Sequence, residues 1–172
     1  MGAKRPNSSV EEIAAIYLDE DKLKTFMDFY DFLITNKFGK AKTGRTAGSS
    51  WAIQFKGKKI GHFCFHENAW SIDYFDLFSH NKWFEKCEAH LTAEMKDFIL
   101  ANIHTTSSCC IKGTCHSVEN LTILGKRFDR RVCACRPILF LNPSDKALEY
   151  AKALALIGKA IITEAVECGR NQ

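Results

Sequence analysis

Proline is scarce in this chain of 172 residues, with Pro6, Pro137 and Pro143 the only three, so no proline-rich linker divides it and its interior is open to helices and strands. Internal repeats and low-complexity tracts are also missing. No stretch approaches the roughly 18 consecutive apolar residues of a membrane span. The opening MGAKRPNSSVEE lacks an apolar core of signal-peptide length, and Pro6 stands where a lipidation signal on Gly2 needs Ser or Thr. The expectation is a cytoplasmic protein with mostly reduced thiols and no membrane partner. No phosphate loop, G-x-S-x-G elbow, H-E-x-x-H helix or G-x-G-x-x-G turn occurs, which argues against the familiar enzyme classes. Charge of one sign is lacking too: +4 is less than a dedicated nucleic-acid binder usually carries, so nucleic acid is not the favoured partner.

What the chain does have is apolar material. A hydrophobic content of 46% with 12% aromatic residues supports one real core over residues 1–172, with 1–20 as a helical extension and 21–168 as the core domain. Ser8 and Ser9 each precede a Glu by three residues, the capping-box spacing, so a helix is expected from about Val10 to Leu18. Leu23, Phe26, Met27, Tyr30 and Leu33 then keep helical period. The polar run at 39–50 reads as a loop. Beyond it the period becomes two: Trp51, Ile53 and Phe55, then Phe63 and Phe65, then Trp70, Ile72 and Tyr74 form the aromatic face of an antiparallel meander. A brief helix at NKWFEKCEAH and one capped by Thr92 and running to about Asn102 follow. LTILGKRF and RPILFLNP read as short extended pieces. Ser144 or Asp145 caps a long helix whose stripe is Ala147, Ala151, Leu154, Gly158, Ile161, Ala165 and Cys168. The fold class is α+β: a three-stranded or larger meander packed on helices, a cysteine-bearing loop and a long terminal helix.

Cysteine is abundant and clustered, five of the eight falling between 109 and 135 within a segment spanning 104–136. Zinc takes four tetrahedral ligands, and two turns that each supply a pair of thiolates meet that need. Cys110 and Cys115 enclose a loop in which Gly113 can adopt a positive φ, and Cys133 and Cys135 supply the second pair. Cys109 is a substitute ligand, and His104 or His116 could replace a thiolate. Four thiolates leave no open position, so the ion would be structural. Two other readings stay open. The cysteines can be small buried hydrophobes, or one can be a redox-active thiolate favoured by the cations at Lys126, Arg127, Arg130, Arg131 and Arg136. The same basic turn, 126–136, could face an anionic partner or small molecule through Lys126, Arg127, Arg130 and Arg131, or could be no more than a solvated turn.

The run from Cys109 through KGTC, TILGKRFDRRVC and LFLNPSDKALEYAKAL, with the SWAIQFKGKK and WSI strands before it, resembles a family of small, uncharacterised bacterial α+β proteins. The likeness covers roughly residues 20 to 165. It implies that Cys115 and Cys133 belong to the shared pattern, while Cys135 and the Cys109-Cys110 doublet depart from it. No activity comes with the resemblance.

Two smaller constellations remain. His62, Cys64 and His66 fall on one face of a strand, with Asp73 on the next strand within possible reach, as a metal or substrate site or as partly exposed polar positions. Cys87 and His90, three apart in a possible helix, could meet on one side or could be surface residues. The leading expectation is a zinc-binding cytoplasmic module, not an enzyme. The alternatives are a thiol-based redox sensor or enzyme, and a weak nucleic-acid or anion binder.

Overall fold

The computed structural model describes residues 9–42, 49–74, 83–104, 117–129, 131–133 and 137–170, with the backbone alone at 41–42, 83–85, 117–118 and 167–170. Helix α1 (Val10–Tyr17) begins at the capping box its sequence announces: Ser9 Oγ accepts the Glu12 N–H at 3.2 Å, and Glu12 accepts the Ser9 N–H at 3.0 Å. Asp19 caps α2 (Glu20–Thr35), accepting the Lys22 N–H at 3.0 Å. Strands β1 (Gly39–Lys42), β2 (Ser50–Phe55), β3 (Lys58–His66) and β4 (Ala69–Tyr74) follow. Helices α3 (Trp83–Glu88) and α4 (Ala93–Ala101) lead to β5 (Ser117–Val118), β6 (Leu121–Ile123), β7 (Lys126–Phe128), β8 (Val132–Cys133) and β9 (Ile138–Leu141). Helix α5 (Asp145–Arg170) closes the chain. The architecture is the expected α+β class.

The main sheet is antiparallel with strand order β1-β2-β3-β4-β9, and two small ribbons, β5-β8 and β6-β7, stand beside it. Turn chemistry fixes the meander. Lys56 and Gly57, both at positive φ (47° and 74°), make the two-residue turn between β2 and β3 that matches strand twist. Trp51 is opposite Phe63, and Phe63 is opposite Ile72. The aromatic face is thereby aligned and covered by helices. Phe26 of α2 lies 4.7 Å from Phe65 and 5.2 Å from Trp70, ring centre to ring centre, both edge-on. The Tyr74 hydroxyl donates to the Ala151 carbonyl of α5 at 2.6 Å. Val10, Ile13 and Ala14 of α1 are buried in the same core.

Four expectations change. Residues 39–42 are an edge strand, not loop, paired with β2 from Gly39–Gln54 to Lys42–Trp51; 43–48 lie outside the described residues. LTILGKRF is a hairpin turning at Leu124 and Gly125, at φ 49° and 77°, and not one extended piece. On α5 the stripe is buried at Ala147, Ala151, Leu154, Gly158 and Ile161, but Ala165 is exposed because the helix has run past the sheet; the Cys168 side chain lies outside the described set. Cys87 and His90 do not share a helix: α3 ends at Glu88, and the His90 N–H donates to the Cys87 carbonyl at 2.9 Å, with Cys87 buried and His90 exposed beyond the helix end.

Candidate functional site

The late segment is organised around Cys133. This residue is fully buried on β8, where it pairs with Ser117 of β5. Its amide N–H donates to the His104 carbonyl at 2.9 Å, and the His104 N–H donates to the Pro137 carbonyl at 2.9 Å. His104 and Ser117 bound the stretch that carries Cys109, Cys110 and Cys115, so both described ends of that stretch are fastened to one residue. Cys109, Cys110, Cys115, His116 and Cys135 themselves lie outside the described residues. Among the described residues no group of three or more His, Cys, Asp or Glu is arranged to hold a metal ion.

The basic turn is less bare than its sequence suggests. Arg127 Nε donates to Asp129 at 3.0 Å, and its other arm reaches Asn120 at 3.3 Å. Arg131 Nε donates to Glu119 at 2.6 Å, a contact that raises the already high pKa of the guanidinium. The Lys126 ammonium lies 5.6 Å from the centre of the Phe128 ring. Arg130 lies outside the described set. Both arginines are exposed, so water and salt screen these pairs.

The second constellation assembles on the sheet face opposite the aromatic core. Register places His62 opposite Asp73, and Cys64 between Ser50 and Ser71. His62 Nδ1 is 3.0 Å from Asp73 Oδ1, and the carboxylate is 2% exposed. With a proton on Nδ1 the ring donates to the carboxylate and leaves Nε2 as an acceptor. His66 Nε2 lies 3.3 Å from Ser71 Oγ, and the Cys64 thiol donates to Ser50 Oγ at 3.2 Å. The sequence announces His62 and Asp73, because strict alternation puts them on one face. The same alternation puts Ser71 on that face, but Ser50 is not announced, because its place beside Cys64 depends on register. Cys64 is buried, not partly exposed as a polar surface position would be. Beside the α2 N-terminus an open cleft of about 190 Å³ is lined by Asp21, Lys22, Thr25, Trp70, Asn142 and Pro143. That is below the roughly 300 Å³ at which small-molecule pockets begin.

The described fold therefore defines an α+β protein with a buried cysteine at the junction of its late ribbon. Compared with family models, curated proteins and solved structures, the chain matches none. No helix among the described residues is long and apolar enough to cross a membrane.

Proposed function

We propose that this chain is a zinc-binding module of the cytoplasm, in which Cys110, Cys115, Cys133 and Cys135, with Cys109 as substitute ligand, hold one structural ion. One observation carries the reading. The stretch containing three of the cysteines leaves from His104 and returns at Ser117, and both residues bond to or pair with Cys133. Thiolates from the two halves of the motif then need only a short reach to share an ion. A closed four-thiolate site offers no coordination position to a substrate, so the metal's role is to fasten the ribbon to the sheet. The partner is anionic, met through Lys126, Arg127, Arg130 and Arg131, with Asp129 and Glu119 tempering the second and fourth of these cations.

The alternative of a redox sensor or thiol enzyme has less support from the described cysteines. Cys64, Cys87 and Cys133 are all buried, and burial pushes the Cys87 thiol up to about 12, far from the thiolate that reacts. Thiol titration separates the two readings. Zinc predicts that native protein reacts slowly at every motif cysteine until a chelator is added, and that chelation also lowers the melting temperature. One fast thiol, indifferent to chelator, would reject it.

A further inference from the structure

Between Asp31 and Glu67 the chain carries seven Lys and Arg and not one Asp or Glu; the remainder holds 17 basic against 20 acidic residues, so the modest overall charge conceals a polarity. The fold brings Lys37, Lys40, Lys56, Lys58 and Lys59 of this run to one corner of the sheet; Arg45 and the Lys42 side chain lie outside the described residues. Lys56 is in the β2–β3 turn and Lys58 pairs across it with Phe55. Gly39, Gln54 and Lys59 form one row over three strands, about 10 Å wide at the usual strand spacing. Lys37 follows the end of α2, and Lys159 reaches over from α5 to donate to the Asn36 carbonyl at 2.8 Å. The ammonium groups are held above rings: Lys56 and Lys159 over Phe55 at 5.5 and 5.2 Å, Lys159 over Phe38 at 5.7 Å and Lys40 over Tyr30 at 4.3 Å. Among the described residues no ion pair involves Lys37, Lys40, Lys56 or Lys58; Glu11 of α1 feels the charge of Lys40 without contacting it.

We infer that this corner binds the phosphodiester backbone of a nucleic acid without reading its sequence. Lysines on β1, in the β2–β3 turn, on β3 and on α5, with the Lys40, Lys56 and Lys159 ammonium groups over rings, suit an array of phosphates. Lysine ammonium groups lie over these rings, and every exposed large hydrophobic in the described set is Ile or Leu, so the surface contacts backbone and does not stack bases. A lipid headgroup surface fits less well. The Lys56-Gly57-Lys58 tip carries no large apolar side chain to insert, the feature that anchors peripheral proteins in a bilayer.

The test is fluorescence anisotropy of labelled 20-base-pair DNA and RNA duplexes of one sequence and a scrambled one, titrated with the full chain. Four neutralised phosphates predict equal binding to both sequences and a log–log salt slope of about −3.6, about a 150-fold loss between 50 and 200 mM salt. The double variant K56E/K58E, which alters exposed turn residues, should fold as the parent does by circular dichroism and bind at least tenfold more weakly. K24E, at an exposed lysine near the end of α2 opposite Lys37, should bind as the parent does. Absence of binding to either duplex, a flat salt response, loss confined to K24E, or binding to phosphatidylserine vesicles but not to duplexes would each overturn the inference.

Discussion

Tyr30 shows how a single atom can be a liability. Its ring is buried against Phe26 and Phe63, yet among the described residues its hydroxyl has no hydrogen-bond partner. A buried hydroxyl without a partner costs about 1–3 kcal/mol. Tyr30→Phe is therefore expected to leave stability unchanged or to raise it by up to about 1 kcal/mol in urea denaturation; a clear loss would mean that the hydroxyl has a partner. Asp19 is the opposite case. The Lys22 ammonium and then the Lys22 amide hold its carboxyl below the ordinary aspartate range, and Asn68 adds a further contact. A depressed folded pKa contributes stability that is present above the unfolded pKa, near 3.8, and lost as pH falls through the folded value. Asp19→Asn keeps an oxygen for the cap and removes the charge. It should melt a little below the parent at pH 7, and the gap should close toward pH 2. A gap that persists in acid would show that the charge is not what matters.

Among the elements, the legible ones are those whose side chains declare a face. The β2–β4 meander follows from aromatic alternation and from glycine- or asparagine-bearing two-residue turns, and α1, α2 and α4 from caps and helical period. Strand β1 was hidden because Gly-Lys-Ala-Lys offers no large apolar residue; it is an edge strand that only pairing with β2 defines. The β6–β7 turn was hidden because Leu124 takes a positive φ that glycine usually supplies. Gly61 carries a close approach between β3 and β4: a Cβ there would lie 2.4 Å from the Asp73 carbonyl oxygen and 3.0 Å from the Tyr74 ring. Since that oxygen belongs to the paired backbone, Gly61→Ala should push the strands apart. The expected loss is about 3 kcal/mol by chemical denaturation; a loss below about 1 kcal/mol would show that the sheet yields easily.

At the scale of the whole molecule, the core and the α+β class can be read from hydrophobic period, but the site is legible only in part. His62 and Asp73 are found by alternation. The meeting of His104, Ser117 and Cys133 is not, because it joins an α4 exit, a two-residue ribbon and a sheet entry through backbone bonds that no local pattern encodes. The lysine corner likewise appears only when α2, the β2–β3 turn and α5 are brought together. The central claim is that the clustered thiols close on Cys133 around one ion, and metal content per chain tests it most directly. Protein purified without added zinc should carry one zinc per chain. Cys133→Ser and Cys115→Ser should lose it, and Cys87→Ser, at a buried position of α3 outside the cysteine motif, should keep it. Metal-free wild-type protein that is fully folded and takes up no zinc would contradict the account.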